Sequence, residues 1–199
     1  MYDALTLAAI CDELNDTILD GRVQRVLLLD PLTVGLEVYA ERARHQLLMS
    51  AEAREARIHL VGGEGDGHGR LTGDAARVTP LLLLLRKYVR GARLVRVYQP
   101  APLERVVFLR FAKFFAAENG RDADAGTGPV NEEDEDEPIE GDLVETTLAV
   151  EIMGRHSNLI LIGEDGRIMD SAKRVPPTLS RVRPVLPHGA YAPVPPQEK

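Results

Sequence analysis

The stretch LVETTLAVEIMGRHSNLILIGEDGRIMD, residues 143–170, decides the fold. Val144, Thr146, Leu148, Val150 and Ile152 alternate with Glu145, Thr147, Ala149 and Glu151, the period of two expected of a strand with one buried face. Gly154-Arg155-His156-Ser157 is a tight polar turn. Residues 158–162 are apolar at nearly every position, as a strand covered on both faces would be. Gly163-Glu164-Asp165-Gly166 then turns the chain into a third strand over 167–170. The pattern predicts an antiparallel meander whose first turn sets an arginine and a histidine at the end of a sheet.

Moving outward, strand signals recur at 23–29, 34–39, 45–50, 57–61, 93–99 and 105–115. The spacings among the first four are too short for crossover helices, so the sheet should be mostly antiparallel. Leu7, Ile10, Cys11, Leu14 and Ile18 make one face of a helix over 3–19 that stops at Asp20-Gly21. Thr79-Pro80 reads as N-cap and first residue of a second helix ending near Gly91, and five consecutive leucines suggest burial on several sides. The expected class is α+β: a mostly antiparallel sheet or sandwich with an N-terminal helix and a second, leucine-rich helix.

At 199 residues, with 44% hydrophobic and 28% charged residues, the chain has the composition of one soluble domain with a real core. The apolar run 81–85 is too short to span a bilayer, and the N-terminus lacks the basic flank of a secretory signal. A cytoplasmic location is expected. One cysteine, Cys11, excludes an internal disulfide and any multi-cysteine zinc site; on a buried helix face it reads as an inert core thiol. The net charge of −7 is unevenly spread: residues 118–142 hold 11 acids and one base, leaving 20 acids against 23 bases elsewhere. That stretch reads as an acidic, mobile insert between two strands, on a mildly basic body that permits a nucleic-acid partner.

The glycine-rich run 62–73 lacks the GK[ST] ending of a phosphate loop and reads as a flexible connection. His45 and His59 fall in different strands without ligand spacing. No metal, cofactor or catalytic motif emerges, and Ser157 beside His156 fixes no catalytic geometry. Asp3 suits the first turn of the first helix. Arg105 continues the buried face of Val107, Leu109 and Phe111, where a guanidinium is costly unless something in the fold answers it. Lys173, Arg174, Arg181 and Arg183 lie on a proline-fixed segment suited either to phosphate contacts or to a solvated surface.

Glu151-Ile152-Met153-Gly154-Arg155-His156-Ser157-Asn158 resembles the hallmark of the NFACT-N module, found at the N-terminus of bacterial proteins first called fibronectin-binding protein A. Leu85-Arg86-Lys87-Tyr88 is similar to its LRKH signature, with tyrosine for histidine. Residues 171–175, 181–187 and 191–193 also resemble it. The resemblance implies a single module over 1–193, with 194–199 a linker to further domains. It implies a fold similar to the N-terminal domain of formamidopyrimidine-DNA glycosylase, although Met1-Tyr2-Asp3 lacks that enzyme's proline and glutamate. It implies a factor of ribosome-associated quality control that binds a large ribosomal subunit, with its rRNA and obstructing peptidyl-tRNA. Such a factor recruits alanine tRNA, so that the stalled chain gains C-terminal alanines while the ribosome performs peptidyl transfer. The module would then be a binding device and no enzyme, with Asp3, Glu104, Arg105 and Arg155 as the tRNA-binding residues. Glu104 stands where the family has aspartate. The alternatives are a fibronectin-binding surface adhesin and a glycosylase-like DNA-binding protein.

Overall fold

Asp3 has extended backbone and ends the incoming chain; its carboxylate accepts from the Thr6 amide at 2.7 Å and opens α1 (Ala4–Ile18). The structure, a computed structural model, describes residues 3–62, 71–101, 104–116 and 140–193. Leu7, Ile10, Cys11, Leu14 and Ile18 form the buried face of α1, as their spacing predicts. Gly21 then brings the backbone so close to Val38 that an added Cβ would lie 2.6 Å from its Cγ1.

Four hairpin-linked strands follow: β1 (Arg22–Asp30), β2 (Thr33–Ala40), β3 (Ala43–Ser50) and β4 (Arg57–Val61). Thr79 caps α2 (Pro80–Tyr88), with its hydroxyl accepting from the Leu82 amide. Gly91, at φ +84°, supplies the left-handed turn into β5 (Arg93–Tyr98). The chain continues through β6 (Val106–Ala116), β7 (Gly141–Glu151), a 3-10 turn (Gly154–His156), β8 (Asn158–Ile162) and β9 (Ile168–Ser171). The described strands form one sheet, ordered β4-β3-β2-β1-β5-β6-β7-β8-β9, and every pairing is antiparallel. The α+β, mostly antiparallel architecture is therefore the one expected. Its two halves meet at β1 and β5, which share the single register pair Arg22↔Arg93.

β3 touches β8, and α2 packs on both β1 and β9, so the sheet curls around its helices. The inner face holds the main core, including Leu36, Leu47, Leu94, Leu109, Phe111, Leu148 and Leu161. A smaller outer cluster joins Val106, Ala149, Ile160, Ile162 and Ile168 to Val185 of the irregular segment 172–193, with Phe108 and that segment's Tyr191 packed against it. That segment is a strap, held by bridges Val175↔Val185 and Arg167↔Ala190.

Three expectations change. β7 is not half-buried throughout: Leu148, Ala149, Val150 and Glu151 are all buried, because the strap covers the outer face there. α2 is not buried on several sides, for Leu83 is 54% exposed while Leu81, Leu82 and Leu85 face the core. Gly141 and Asp142, assigned to the acidic insert, pair with Ala116 and Phe115 in the sheet. The rest of the insert but Glu140, most of the glycine-rich run and the linker after residue 193 lie outside the described residues.

Candidate functional site

The end of the sheet where β5 stops and β6 starts is organised by Gln99. Its side-chain amide donates to the Ala4 carbonyl at 3.2 Å and to the Glu104 carbonyl at 2.7 Å. The start of α1 is thereby tied to the residue before Arg105. Arg105 is half-buried just ahead of β6, and its carbonyl accepts from the Ile152 amide at 2.8 Å. That bond carries the assembly across to β7 and the turn after it. Ser157 closes the turn: its amide donates to the Gly154 carbonyl, and its hydroxyl accepts from the Met153 amide at 2.8 Å. Gly154 takes φ +59°, which a side chain would oppose.

Asp3, Glu104, Arg105 and Arg155, from three separate parts of the sequence, are thus gathered by the backbone at one end of the sheet. Asp3 is exposed, and the Thr6 amide holds its carboxyl below the usual aspartate range. Arg155 is also exposed, with Nε donating to His156 Nε2 at 3.0 Å, so that ring nitrogen acts as acceptor.

Beneath the turn lies a buried group that the sequence pattern does not single out. Glu151 is fully enclosed; Arg183 Nη1 donates to its Oε2 at 3.1 Å and Nη2 donates to Oε1. Tyr191 donates to the same Oε1 at 2.9 Å, and the Arg183 guanidinium lies 5.3 Å from the Tyr191 ring centre. Burial pushes the Tyr191 phenol well up, and the Glu151 charge adds to this, so the phenol stays protonated as the donor. For Arg183, burial opposes the charge, but the hydrogen bond and charge of Glu151 outweigh it and raise the pKa. Between the turn and the strap is a cleft of about 490 Å³, lined by Met153, Arg155, His156, Lys173, Val182 and Arg183 among others.

The basic strap is less free for phosphate than its sequence suggests. Arg183 is committed to Glu151, and Arg174 makes a two-point contact with buried Asp170 at 3.0 and 3.1 Å. Lys173 donates to the Ala51 carbonyl at 2.6 Å, and burial lowers its pKa. Arg181 remains exposed. Among the described residues, no three His, Cys, Asp or Glu side chains gather as a metal site would require, and no helix is long and apolar enough to cross a membrane.

The class this chain belongs to is set by its match to a family over almost its whole length. The family model described as NFACT N-terminal and middle domains matches residues 3–199, and the chain belongs to that family. The crystal structure of the N-terminal domain of fibronectin-binding protein PavA from Streptococcus pneumoniae superposes with a TM-score of 0.77 at 25% identity, covering 98% of this chain and 63% of that one. The N-terminal region of the fibronectin/fibrinogen-binding protein from Streptococcus suis shares the fold, with a TM-score of 0.74 at 24% identity over 99% of this chain and 62% of that one. Two proteins named Rqc2 homolog RqcH are related in sequence. The Streptococcus pneumoniae protein is 26% identical over 191 residues, 96% of this chain and 29% of its own length. The Bacillus subtilis protein is 26% identical over 199 residues, 100% of this chain and 30% of its own length. The chain therefore spans less than a third of these relatives.

Proposed function

We propose that this chain is the tRNA- and large-subunit-binding module of a ribosome-associated quality-control factor. The observation that carries this reading is the Gln99 clamp, which joins the capped start of α1 to Glu104-Arg105 and, through Arg105 and Ile152, to the turn bearing Arg155. Membership of the NFACT family and similarity to proteins named Rqc2 homolog RqcH support it. In this mechanism Arg105 and Arg155 hold tRNA phosphate or base edges, since a planar guanidinium can make paired hydrogen bonds. Asp3 and Glu104 orient them and reject misplaced acidic groups. The partner is alanine tRNA beside a peptidyl-tRNA-obstructed large subunit, and the outcome is C-terminal alanine tailing with the ribosome as the peptidyl transferase. The module itself binds and positions, and works in the cytoplasm.

The test is tRNA retention by the full-length protein. Arg105→Ala and Arg155→Ala are each expected to lower retention, and unchanged retention in both would sink the assignment. The longer carboxylate of Glu104 is tested by Glu104→Asp, which keeps the charge and is expected to preserve binding. Kinship with formamidopyrimidine-DNA glycosylase is proposed for the fold alone, and an abasic-site cleavage assay is expected to show no product. The names of the streptococcal neighbours favour a second reading, fibronectin binding at the cell surface. Labelling intact cells with an impermeant reagent separates the two, because a ribosome factor stays unlabelled.

A further inference from the structure

Like charges placed directly across two strands repel. The outer face of β1, β5 and β6 nonetheless carries two arginine pairs: Arg22 opposite Arg93, and Arg96 opposite Arg110 further along β5. Among the described residues, only Arg110 of these four has a carboxylate within ion-pair distance, Glu145 at 3.8 Å. Arg22 Nε donates instead to the Gly91 carbonyl at 3.1 Å, and the Arg96 guanidinium lies 4.2 Å from the Tyr98 ring centre. Lys113 adds to the crowding. Its Nζ donates to the Lys87 carbonyl at 2.6 Å, and burial, followed by the charges of Arg90 and Arg22, lowers its pKa.

Of these cations, Arg22, Arg93 and Lys113 border a groove of about 630 Å³ at the seam between the two halves of the sheet, away from the Gln99 end. Val95 and Ala112 contribute apolar lining, and Asp20 is the acid among its described lining residues. Tyr39 and Phe114 flank it with 44% and 48% of their surfaces exposed, and Leu143, paired with Phe114, is 62% exposed. Arg22 and Arg93, without an ion-paired carboxylate among the described residues, call for a polyanion, and exposed rings in the same groove offer bases a surface on which to stack. An acidic peptide would neutralise the cations yet leave the rings uncovered.

We infer that this groove is a second RNA-contact site, taking a short single-stranded segment with its phosphates on Arg22, Arg93 and Lys113 and a base against Tyr39 or Phe114. The site rests on the reading of the chain as an RNA-binding module, but not on the residues at the Gln99 end. The experiment is fluorescence anisotropy of the 199-residue chain with a labelled decauridylate across a salt series, with circular dichroism checking that each variant is folded. Arg22→Gln with Arg93→Gln should reduce the slope of log affinity against log salt by about 1.4, the effect of two phosphate contacts on a single strand. Tyr39→Ala with Phe114→Ala should weaken binding roughly tenfold, the scale of one lost base-stacking contact. Retention of tRNA by full-length Arg105→Ala, read in parallel, separates failure of this site from failure of the tRNA assignment, because the groove variants are judged on decauridylate binding alone. Unchanged binding in either folded double variant would overturn the inference, as would equal affinity for a polyglutamate of the same charge.

Discussion

At the scale of single residues, Gln99 has a larger part than any charged side chain at the candidate end. One amide group serves two carbonyls from segments 100 residues apart in sequence order, Ala4 and Glu104. Gln99→Ala should lower unfolding stability by about 1–3 kcal/mol, the range for two partly buried hydrogen bonds, and should also weaken tRNA retention. Urea unfolding measures the first effect and filter binding the second; loss of stability without loss of retention would confine Gln99 to a structural role. Nothing in the sequence marks this residue, because a side-chain amide bridging two loops has no spacing signature. Asp3 was legible, since an acid ahead of an amphipathic run is a recognisable cap. Cys11 was legible too. Burial, reinforced by the charge of Asp12, pushes its thiol up to about 11. It should resist Ellman's reagent at pH 8 until urea unfolds the chain. Between the ordinary thiol pKa of 9.0 and about 11 the unfolded chain ionises Cys11 and the native one does not, so stability should fall as pH rises through that window.

At the scale of elements, the strap and β7 depend on each other. Arg183 from the strap supplies the charge that makes Glu151 tolerable in a closed position, and Tyr191 takes up a second bond to the same oxygen. Arg183→Met should cost about 3–5 kcal/mol, because it leaves a buried carboxylate unpaired. Arg183→Met combined with Glu151→Leu should recover much of that loss, and urea denaturation of the single and double variants checks both. A double variant no more stable than Arg183→Met would rule out this pairing as the source of the loss. Period-two alternation located β7 but misjudged Glu151. The alternation says which residues share a face, not whether a later segment covers the other one. Likewise, the leucine run fixed the position of α2 without revealing that Leu83 stays outside. The α1–β1 junction is less forgiving: Gly21→Ala would place a Cβ 2.8 Å from the Ile18 carbonyl and 2.9 Å from Ala40 Cβ. Its expected cost is about 1–3 kcal/mol, read as a lowered urea midpoint.

At the scale of the whole molecule, charge is divided between parts of the chain with opposite tendencies. Residues 118–139 hold nine acids and one base, so replacing them with a neutral linker takes the net charge from −7 to +1. RNA affinity should then rise at low salt, and the gain should shrink at high salt as screening takes over. A gain that persisted at high salt would point to something other than long-range charge. The fold class, strand succession and both helices could be read from hydrophobic periodicity and caps, because those signals are local. The strand order across the β1–β5 seam could not, since it rests on a single register pair and the backbone bonds flanking it. The candidate end was proposed only through resemblance to a family, because the segments bearing Asp3, Glu104, Arg105 and Arg155 are joined by the Gln99 amide and a backbone bond rather than by spacing. The most direct measurement is co-sedimentation of the full-length parent with large ribosomal subunits carrying peptidyl-tRNA, followed by sequencing of the retained tRNA. Co-sedimentation with alanine tRNA, lost on Arg105→Ala, is the expected result; a parent protein absent from the ribosomal fraction, or one retaining tRNA equally well without Arg105, would contradict it.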